Sequence, residues 1–170
     1  MLFIKFLGGI SVVICGTLCG VYASRIVLNR VKLMEQYLMF LANVRTSVAY
    51  TAVSAGEILR WENAQPLIKP ILAIAADSFD SGQPFDKAWK KAFESDTAKL
   101  LVSKSDKELI LNFGNGFGTD DVSGELQKLD LCFHLTQQRL EEMRAELESK
   151  RKIYRIVGMF AGVVVTVLIC

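Results

Sequence analysis

Residues 126–154, LQKLDLCFHLTQQRLEEMRAELESKRKIY, decide the fold of this 170-residue chain. Their apolar side chains recur at steps of three and four, which is the spacing of one face of an α-helix. The stripe consists of Leu126, Leu129, Phe133, Leu140, Met143, Leu147 and Tyr154, with Thr136 and Lys150 as polar exceptions. A heptad-like stripe of this length predicts a long helix that packs along a second long helix.

The second long helix is predicted near the start of the chain. A similar stripe there consists of Val27, Val31, Met34, Leu38, Leu41 and Val48. It predicts a helix that continues to about Ala52, with Arg45 as an interruption. Each long helix adjoins one apolar end of the chain. The first helix would run away from the side where the apolar ends lie, and the second would run back to that side. We therefore expect an antiparallel pair.

Both ends of the chain are strongly apolar. Met1–Ala23 and Ile156–Cys170 together contain one charged side chain, Lys5. A helix needs about 20 apolar residues to cross a bilayer, so the first run is long enough and the second is short. A cleaved signal peptide is the alternative for the first run. The sequence thus predicts an apolar anchor at each terminus.

The anchors divide the chain into three predicted parts. These are an N-terminal transmembrane helix over 1–24, a central helical domain over 25–155 and a short membrane-embedded helix over 156–170. Lys and Arg are frequent on the inner flank of both anchors, as in cytoplasmic flanks, so the central domain is predicted to be cytosolic. Gly158 and Gly162 have Gly-x-x-x-Gly spacing, which favours close packing of membrane helices, with ordinary membrane glycines as the alternative.

Short covering helices are predicted between the two long ones. Ser54 and Glu57 have the spacing of a capping box, which opens a helix. A helix over 70–79 follows, and Asp80-Ser81-Gly82 stops it. The next helix begins at Pro84. Its predicted core face consists of Phe85, Ala88, Trp89, Ala92 and Phe93.

The last covering helix is delimited by polar and glycine residues. Ser105 and Glu108 repeat the capping-box spacing and predict its start. Gly114 is predicted to end it in a left-handed cap. Thr119 or Asp120 is predicted to cap the long final helix. Since no strand pattern competes, we predict an all-α fold: a membrane-anchored bundle with a long antiparallel helix pair and short covering helices.

Composition excludes several functions. The chain has 20 Lys and Arg against 18 Asp and Glu, a balance too even to attract nucleic acid. Three of the four cysteines lie in the apolar ends, which is not a disulfide framework. Cys132 and the single histidine, His134, are two apart on a helix and point to different faces, so no metal site is expected. We predict no catalytic residues and no cofactor.

The glycine-rich turn at residues 114–118 raises one enzymatic alternative, a nucleotide-binding loop. Its glycines miss the spacings of both G-x-G-x-x-G and Walker motifs, and no strand precedes them. Asp120 and Asp121 would also repel a phosphate. A connection between two helices is therefore the favoured interpretation, with nucleotide binding left as a hypothesis.

The residues that open the long final helix carry a resemblance to a known family. Gly118, Asp121, Gly124 and Glu125 in this order resemble the stage III sporulation protein AB family of endospore-forming bacteria. Further matching features are Gly82 with Ala88-Trp89, the turn from Phe113-Gly114 to Gly118, Lys128 with Leu129, and the apolar end from Gly158 to Ile169. Family members usually have glutamine where this chain has Glu125.

The resemblance implies a function. It implies a structural, non-enzymatic subunit of a transenvelope channel complex between mother cell and forespore, located in the mother-cell membrane that faces the forespore. The helical domain would be similar to the inner-membrane platform proteins of type II secretion and type IV pilus systems, with a cytosolic ATPase and other channel subunits as partners. The turn with Gly118, Asp121, Gly124 and Glu125 is then the predicted partner-binding surface. The alternative is an unrelated membrane-tethered coiled-coil spacer that forms a homo-oligomer.

Overall fold

The computed structural model describes residues 2–51, 53–99, 101–115, 117–118 and 121–169, with side chains for residue 25 and, within those ranges, from 27 to 149. Every regular element of these residues is an α-helix, which confirms the all-α prediction. In chain order the helices are α1 (Leu2–Thr51), α2 (Ala55–Leu59), α3 (Lys69–Asp80), α4 (Phe85–Glu94), α5 (Asp96–Lys99), α6 (Lys104–Gly114) and α7 (Val122–Ile169).

The two long helices, α1 and α7, pack against each other along the bundle. Two ion pairs define their relative direction. The Arg45 guanidinium pairs with the Asp130 carboxylate, and Arg144 lies 2.6 Å from Glu35. Residues earlier in α1 therefore lie beside residues later in α7. The two helices are antiparallel, as predicted. Arg45 interrupts the apolar stripe because it supplies one of these pairs.

The predicted membrane segments fall in the outer parts of α1 and α7. No helix in the described portion of the chain is both long and apolar enough to span a bilayer. The predicted anchors over 1–24 and 156–170 lie outside the residues whose side chains are described. Gly158 and Gly162 lie there too, so their role in packing stays a prediction.

The first covering helices form close to where the sequence predicts them. Ser54 and Glu57 make both bonds of the capping box, with the Ser54 N–H donating to Glu57 Oε2 at 2.9 Å. Helix α3 is one residue longer at each end than the predicted 70–79. It ends where Gly82 takes a φ of +88°, a left-handed conformation that glycine adopts without strain. Helix α5, a single turn, was not predicted because four residues show no periodicity.

The core is centred on Trp89 of α4. Its side chain is fully buried, and its indole N–H donates to the Ile110 carbonyl at 2.9 Å. All five residues of the predicted core face of α4 are buried. The aromatic cluster around it consists of Phe40, Phe85, Trp89, Phe93, Phe113 and Phe117, with neighbouring rings 4.9–6.0 Å apart. This cluster joins α1, α4 and α6, and it fixes the covering helices on the long pair.

The predicted start of α6 was wrong by two residues. Ser103, not Ser105, is the N-cap, and its hydroxyl accepts the Asp106 N–H at 3.3 Å. The Asp106 carboxylate is buried and lies 2.7 Å from Arg139 of α7. This tertiary ion pair selects Asp106 as the acidic residue of the first turn, where the sequence alone favoured Glu108.

The predicted role of Gly114 was also wrong. Gly114 is the last residue of α6, and the described glycines with left-handed φ are Gly82 and Gly118 instead. A Cβ atom added at Gly114 would lie 2.4 Å from Cδ1 of Trp89. Glycine at this position therefore permits close contact with the indole ring rather than a special backbone conformation.

Candidate functional site

The four predicted partner-binding residues come together in the turn from α6 to α7. Gly118 has a φ of +82°, and its N–H donates to Oε1 of Glu125 at 2.8 Å. The Gly124 N–H donates to Oδ1 of Asp121 at 3.1 Å. We call residues 115, 117, 118 and 121–125 the distal turn, because they lie at the end of the α1–α7 pair opposite to Leu2 and Ile169. Two carboxylates thus bind the turn's own backbone.

Asp121 caps the long final helix. It directly precedes Val122, the first residue of α7, and its carboxylate accepts the N–H of the third helical residue. The predicted caps, Thr119 and Asp120, lie outside the described residues. A hydrogen bond from the Ser123 hydroxyl and the bond from Gly124 N–H lower the pKa of the Asp121 carboxyl. The side chain is exposed and therefore anionic at neutral pH.

Glu125 has a different position from Asp121. Its side chain is only 5% exposed, so it is part of the interior of the turn rather than of its surface. The bond that it accepts from Gly118 needs an oxygen atom but not a negative charge. A glutamine, the residue expected in the family, has the same oxygen at the same place. This chain has glutamate where glutamine is expected in the family, and either residue can make the contact that holds the turn.

This contact gives a first prediction. Glu125→Gln should destabilise the chain less than Glu125→Ala, which should lower the free energy of unfolding by about 1–3 kcal/mol because the Gly118 N–H loses its acceptor. Urea unfolding of the full chain in detergent, followed by circular dichroism, measures both. If the two variants were equally unstable, the negative charge rather than the oxygen acceptor would hold the turn.

Phe117 attaches the distal turn to the core. Its side chain is 9% exposed, and its ring centroid lies 5.1 Å from that of Phe85 and 5.0 Å from that of Phe113. By contrast, Asp121 is exposed and the Val122 side chain is 51% exposed. The turn is therefore fixed from inside and presents an acidic and an apolar side chain next to each other on its outside.

The same geometry disfavours a nucleotide at the distal turn. A phosphate would need free backbone N–H groups. The N–H groups of Gly118 and Gly124 already donate to Glu125 and Asp121. Two carboxylates therefore occupy the positions from which a glycine-rich loop would bind a phosphate.

The other reactive residues of the central domain do not form a site together. Cys132 is half-buried, and burial raises the pKa of its thiol. His134 is exposed, and its ring lies 6.1 Å from that of Phe133. Among the described residues, no three His, Cys, Asp or Glu side chains are close enough to hold a metal ion together.

Two features of the structure were not identified from the sequence. One is the buried ion pair of Asp106 with Arg139. The other is a pocket between α1 and the connection from α2 to α3, lined mainly by amide and aromatic side chains. The residues of each feature come from separate parts of the chain, so no local pattern links them. The sequence signal for the pocket was weak: Asn63 and Gln65 lie close together after Trp61.

Fold and site define an all-helical protein built on one long antiparallel helix pair, with a hydrogen-bonded turn at the end of the pair opposite to Leu2 and Ile169. The family model described as stage III sporulation protein AB matches residues 5–170, and the chain belongs to this family. A relative from Bacillus subtilis (strain 168), named stage III sporulation protein AB, is 22% identical over 171 residues, which cover 98% of this chain and 99% of the relative. No solved structure matches the chain significantly. The family supports a role of the chain in sporulation.

Proposed function

We propose that this chain is a non-enzymatic membrane platform or adaptor of a sporulation channel complex between mother cell and forespore, which couples a cytosolic ATPase to the membrane assembly. The observation that carries the proposal is the antiparallel direction of α1 and α7, defined by the pairs of Arg45 with Asp130 and of Arg144 with Glu35. Both apolar chain ends therefore leave the bundle at one end, as anchorage in one membrane requires. Family membership supports the sporulation role.

The length of α7 separates the membrane from the proposed partner. Residues 122–155 of this helix precede the predicted anchor. At about 1.5 Å per residue they extend about 50 Å. The distal turn would then stand about 50 Å from the start of the membrane anchor, within reach of a large cytosolic protein. A rigid spacer of this kind is what an adaptor between a membrane and an ATPase needs.

The exposed side of the distal turn is the proposed contact for the ATPase. Asp121 and Val122 are its exposed charged and apolar side chains, whereas Glu125 faces inward. The partner surface would therefore be basic with an apolar centre, since charge complementarity directs association and a buried apolar contact stabilises it. Gly118 and Glu125 would act indirectly, because they hold the turn in shape.

Copurification from detergent extracts of sporulating cells, with mass spectrometry, tests this function. We expect an ATPase and other subunits of the sporulation complex to be recovered with the full chain. Asp121→Asn, which keeps the capping oxygen and removes the charge, should reduce ATPase recovery severalfold, whereas the Glu125→Gln control should not. Failure to recover any such subunit, together with normal spores after deletion of the gene, would refute the proposal.

One observation favours the alternative of a self-associating spacer. Leu131 and Leu135, four residues apart on α7, are 61% and 42% exposed. Neighbouring apolar side chains on one helix face can pack against a second helix. Analytical ultracentrifugation of the full chain and of Leu131→Gln/Leu135→Gln would decide: a dimer that the double substitution dissociates supports the spacer, and a monomer contradicts it.

A further inference from the structure

A pocket opens between α1 and the connection from α2 to α3. Its volume is about 260 Å³. The lining consists of Gln36, Phe40, Asn43, Trp61, Asn63, Ala64, Gln65 and Ile68. We call it the amide-rimmed pocket, since half of these side chains are amides. It lies on α1 and on the connection from α2 to α3, and it shares no lining residue with the distal turn.

The apolar part of the pocket is continuous with the core. Phe40 and Ile68 are buried, with 4% and 1% of their surface exposed. Trp61 is half-buried and meets Phe40 edge to face, with ring centroids 6.1 Å apart. These side chains are fixed by packing, so the apolar surface that they offer is preformed. A preformed apolar surface binds an apolar group without first reorganising the protein.

The polar part of the pocket is formed by four amide side chains. The Gln36 carbonyl oxygen accepts the Leu67 N–H at 2.8 Å and so fixes the connection from α2 to α3. The side chains of Asn43, Asn63 and Gln65 make no hydrogen bond to any described residue. Each amide offers both donors and an acceptor. None of the lining side chains carries a charge.

We infer that the amide-rimmed pocket binds a polypeptide segment of a partner protein, which inserts one uncharged apolar side chain. The volume lies below the roughly 300–1,000 Å³ of pockets for drug-sized molecules and suits one large side chain. Amides match the alternating donors and acceptors of a peptide backbone, and no lining side chain offers a positive charge to a phosphate or carboxylate. Asn43, Asn63 and Gln65 supply these groups around the aromatic surface.

The surface beside the pocket agrees with a peptide ligand. Met39 is 52% exposed and lies four residues before Asn43 on α1, so the two side chains are neighbours on one helix face. An exposed methionine next to an aromatic pocket is typical of surfaces that bind apolar peptide segments. The bound segment would thus contact Met39 while its anchor side chain fills the pocket. This inference does not depend on the proposed platform role.

The two tryptophans allow a direct test. The full chain, with its indole nitrogens labelled with ¹⁵N, is held in lipid nanodiscs and titrated with N-acetyl-leucinamide. We expect the Trp61 indole signal to shift with a millimolar dissociation constant, the range expected for so small a ligand. The Trp89 signal should stay in place, because this ring is buried and bonded to Ile110. Trp89 therefore serves as an internal control for the fold.

Three further probes separate the recognised features. N-acetylglycinamide lacks the apolar side chain, N-acetyl-leucine adds a carboxylate, and 3-methyl-1-butanol has a leucine-like side chain without peptide groups. Each should bind at least threefold more weakly than N-acetyl-leucinamide. Equal binding of the alcohol would overturn the recognition of the backbone, and equal binding of the carboxylate would overturn the match to an uncharged ligand.

Substitutions in the pocket complete the test. Ala64→Leu, which fills the pocket, should weaken binding of N-acetyl-leucinamide at least tenfold. Asn63→Ala should weaken it about two- to tenfold, the effect of one lost hydrogen bond. Asn112→Ala, at an exposed position on α6 away from the pocket, is the matched control and should have no effect. No shift of Trp61, or the same shift for Trp61 and Trp89, would overturn the inference.

Discussion

An alanine at position 114 should lower the free energy of unfolding by about 2–3 kcal/mol, although alanine is the better helix former. The new Cβ atom would lie 2.4 Å from Cδ1 and 2.8 Å from Cγ of Trp89. The indole cannot move away easily, because it is fully buried, is bonded to the Ile110 carbonyl and lies 4.9 Å from the rings of Phe93 and Phe113. Urea unfolding of the full chain in detergent measures the change.

Two controls separate this steric effect from a backbone effect. Gly82→Ala places a side chain where no atom lies within 4 Å but where φ is +88°. It should therefore lower the free energy of unfolding only by the cost of a left-handed backbone conformation, about 1–2 kcal/mol. Trp89→Leu leaves room beside position 114, so Gly114→Ala should cost at least 1 kcal/mol less in that background. An unchanged cost would mean that contact with Trp89 is not the cause.

The sequence predicts the covering helix α4 well because this helix buries only one face. Its five predicted core residues are all buried, since a one-sided helix shows a single apolar stripe. The predicted apolar stripe of α1 left out several residues that are buried in the structure. Leu33, Tyr37, Phe40 and Val44 are also buried but were not in the predicted stripe. Helix α1 contacts α7 on one side and the covering helices on the other, so its apolar surface is too broad for one stripe.

Local patterns could not decide between equivalent candidates. Ser103 with Asp106 and Ser105 with Glu108 both have the spacing of a helix start, and the choice depends on Arg139, 33 residues from Asp106 along the chain. Gly114 and Gly118 lie in the same glycine-rich turn, yet one is needed for close packing and the other for a left-handed φ. Such distinctions are set by tertiary contacts.

The structure shows how the four predicted site residues are arranged, while their binding of a partner stays a prediction. The Gly118 N–H donates to Glu125, and the Gly124 N–H donates to Asp121. The sequence could not show that Glu125 points inward while Asp121 stays exposed. The amide-rimmed pocket was missed because its lining comes from α1 and from residues 61–68, which only the folded chain brings together.

Asp106→Ala should lower the free energy of unfolding by about 3 kcal/mol at pH 7. The Asp106 carboxylate is 2% exposed, lies 2.7 Å from Arg139 and binds the Ser103 hydroxyl at 2.6 Å. Its removal breaks the connection between α6 and α7 and leaves the partly buried Arg139 with Glu142 as a more exposed partner at 2.9 Å. Breaking a buried pair from one side costs about 3–5 kcal/mol, and the partial exposure of Arg139 places the expected value at the lower end.

The effect should depend on pH with a definite sign. Burial alone would raise the pKa of the Asp106 carboxyl, but hydrogen bonds from Ser103 and Arg139 outweigh it and lower this pKa in the folded protein. A lowered folded-state pKa contributes stability above the unfolded value of about 3.9, and this contribution is lost as the pH falls through the folded value. The difference between wild type and Asp106→Ala should therefore be constant near neutrality and shrink below about pH 4.

Asp130→Ala is the matched control, because Asp130 also pairs with an arginine between two helices. The side chains of Arg45 and Asp130 are 50% and 44% exposed, so solvent screens their attraction. Their pair should therefore contribute much less to the free energy of unfolding than the pair of Asp106 with Arg139. If Asp130→Ala destabilised the chain as much as Asp106→Ala, burial would not explain the strength of the α6–α7 connection. A pH-independent effect of Asp106→Ala would show instead that packing of the side chain, rather than its charge, joins the two helices.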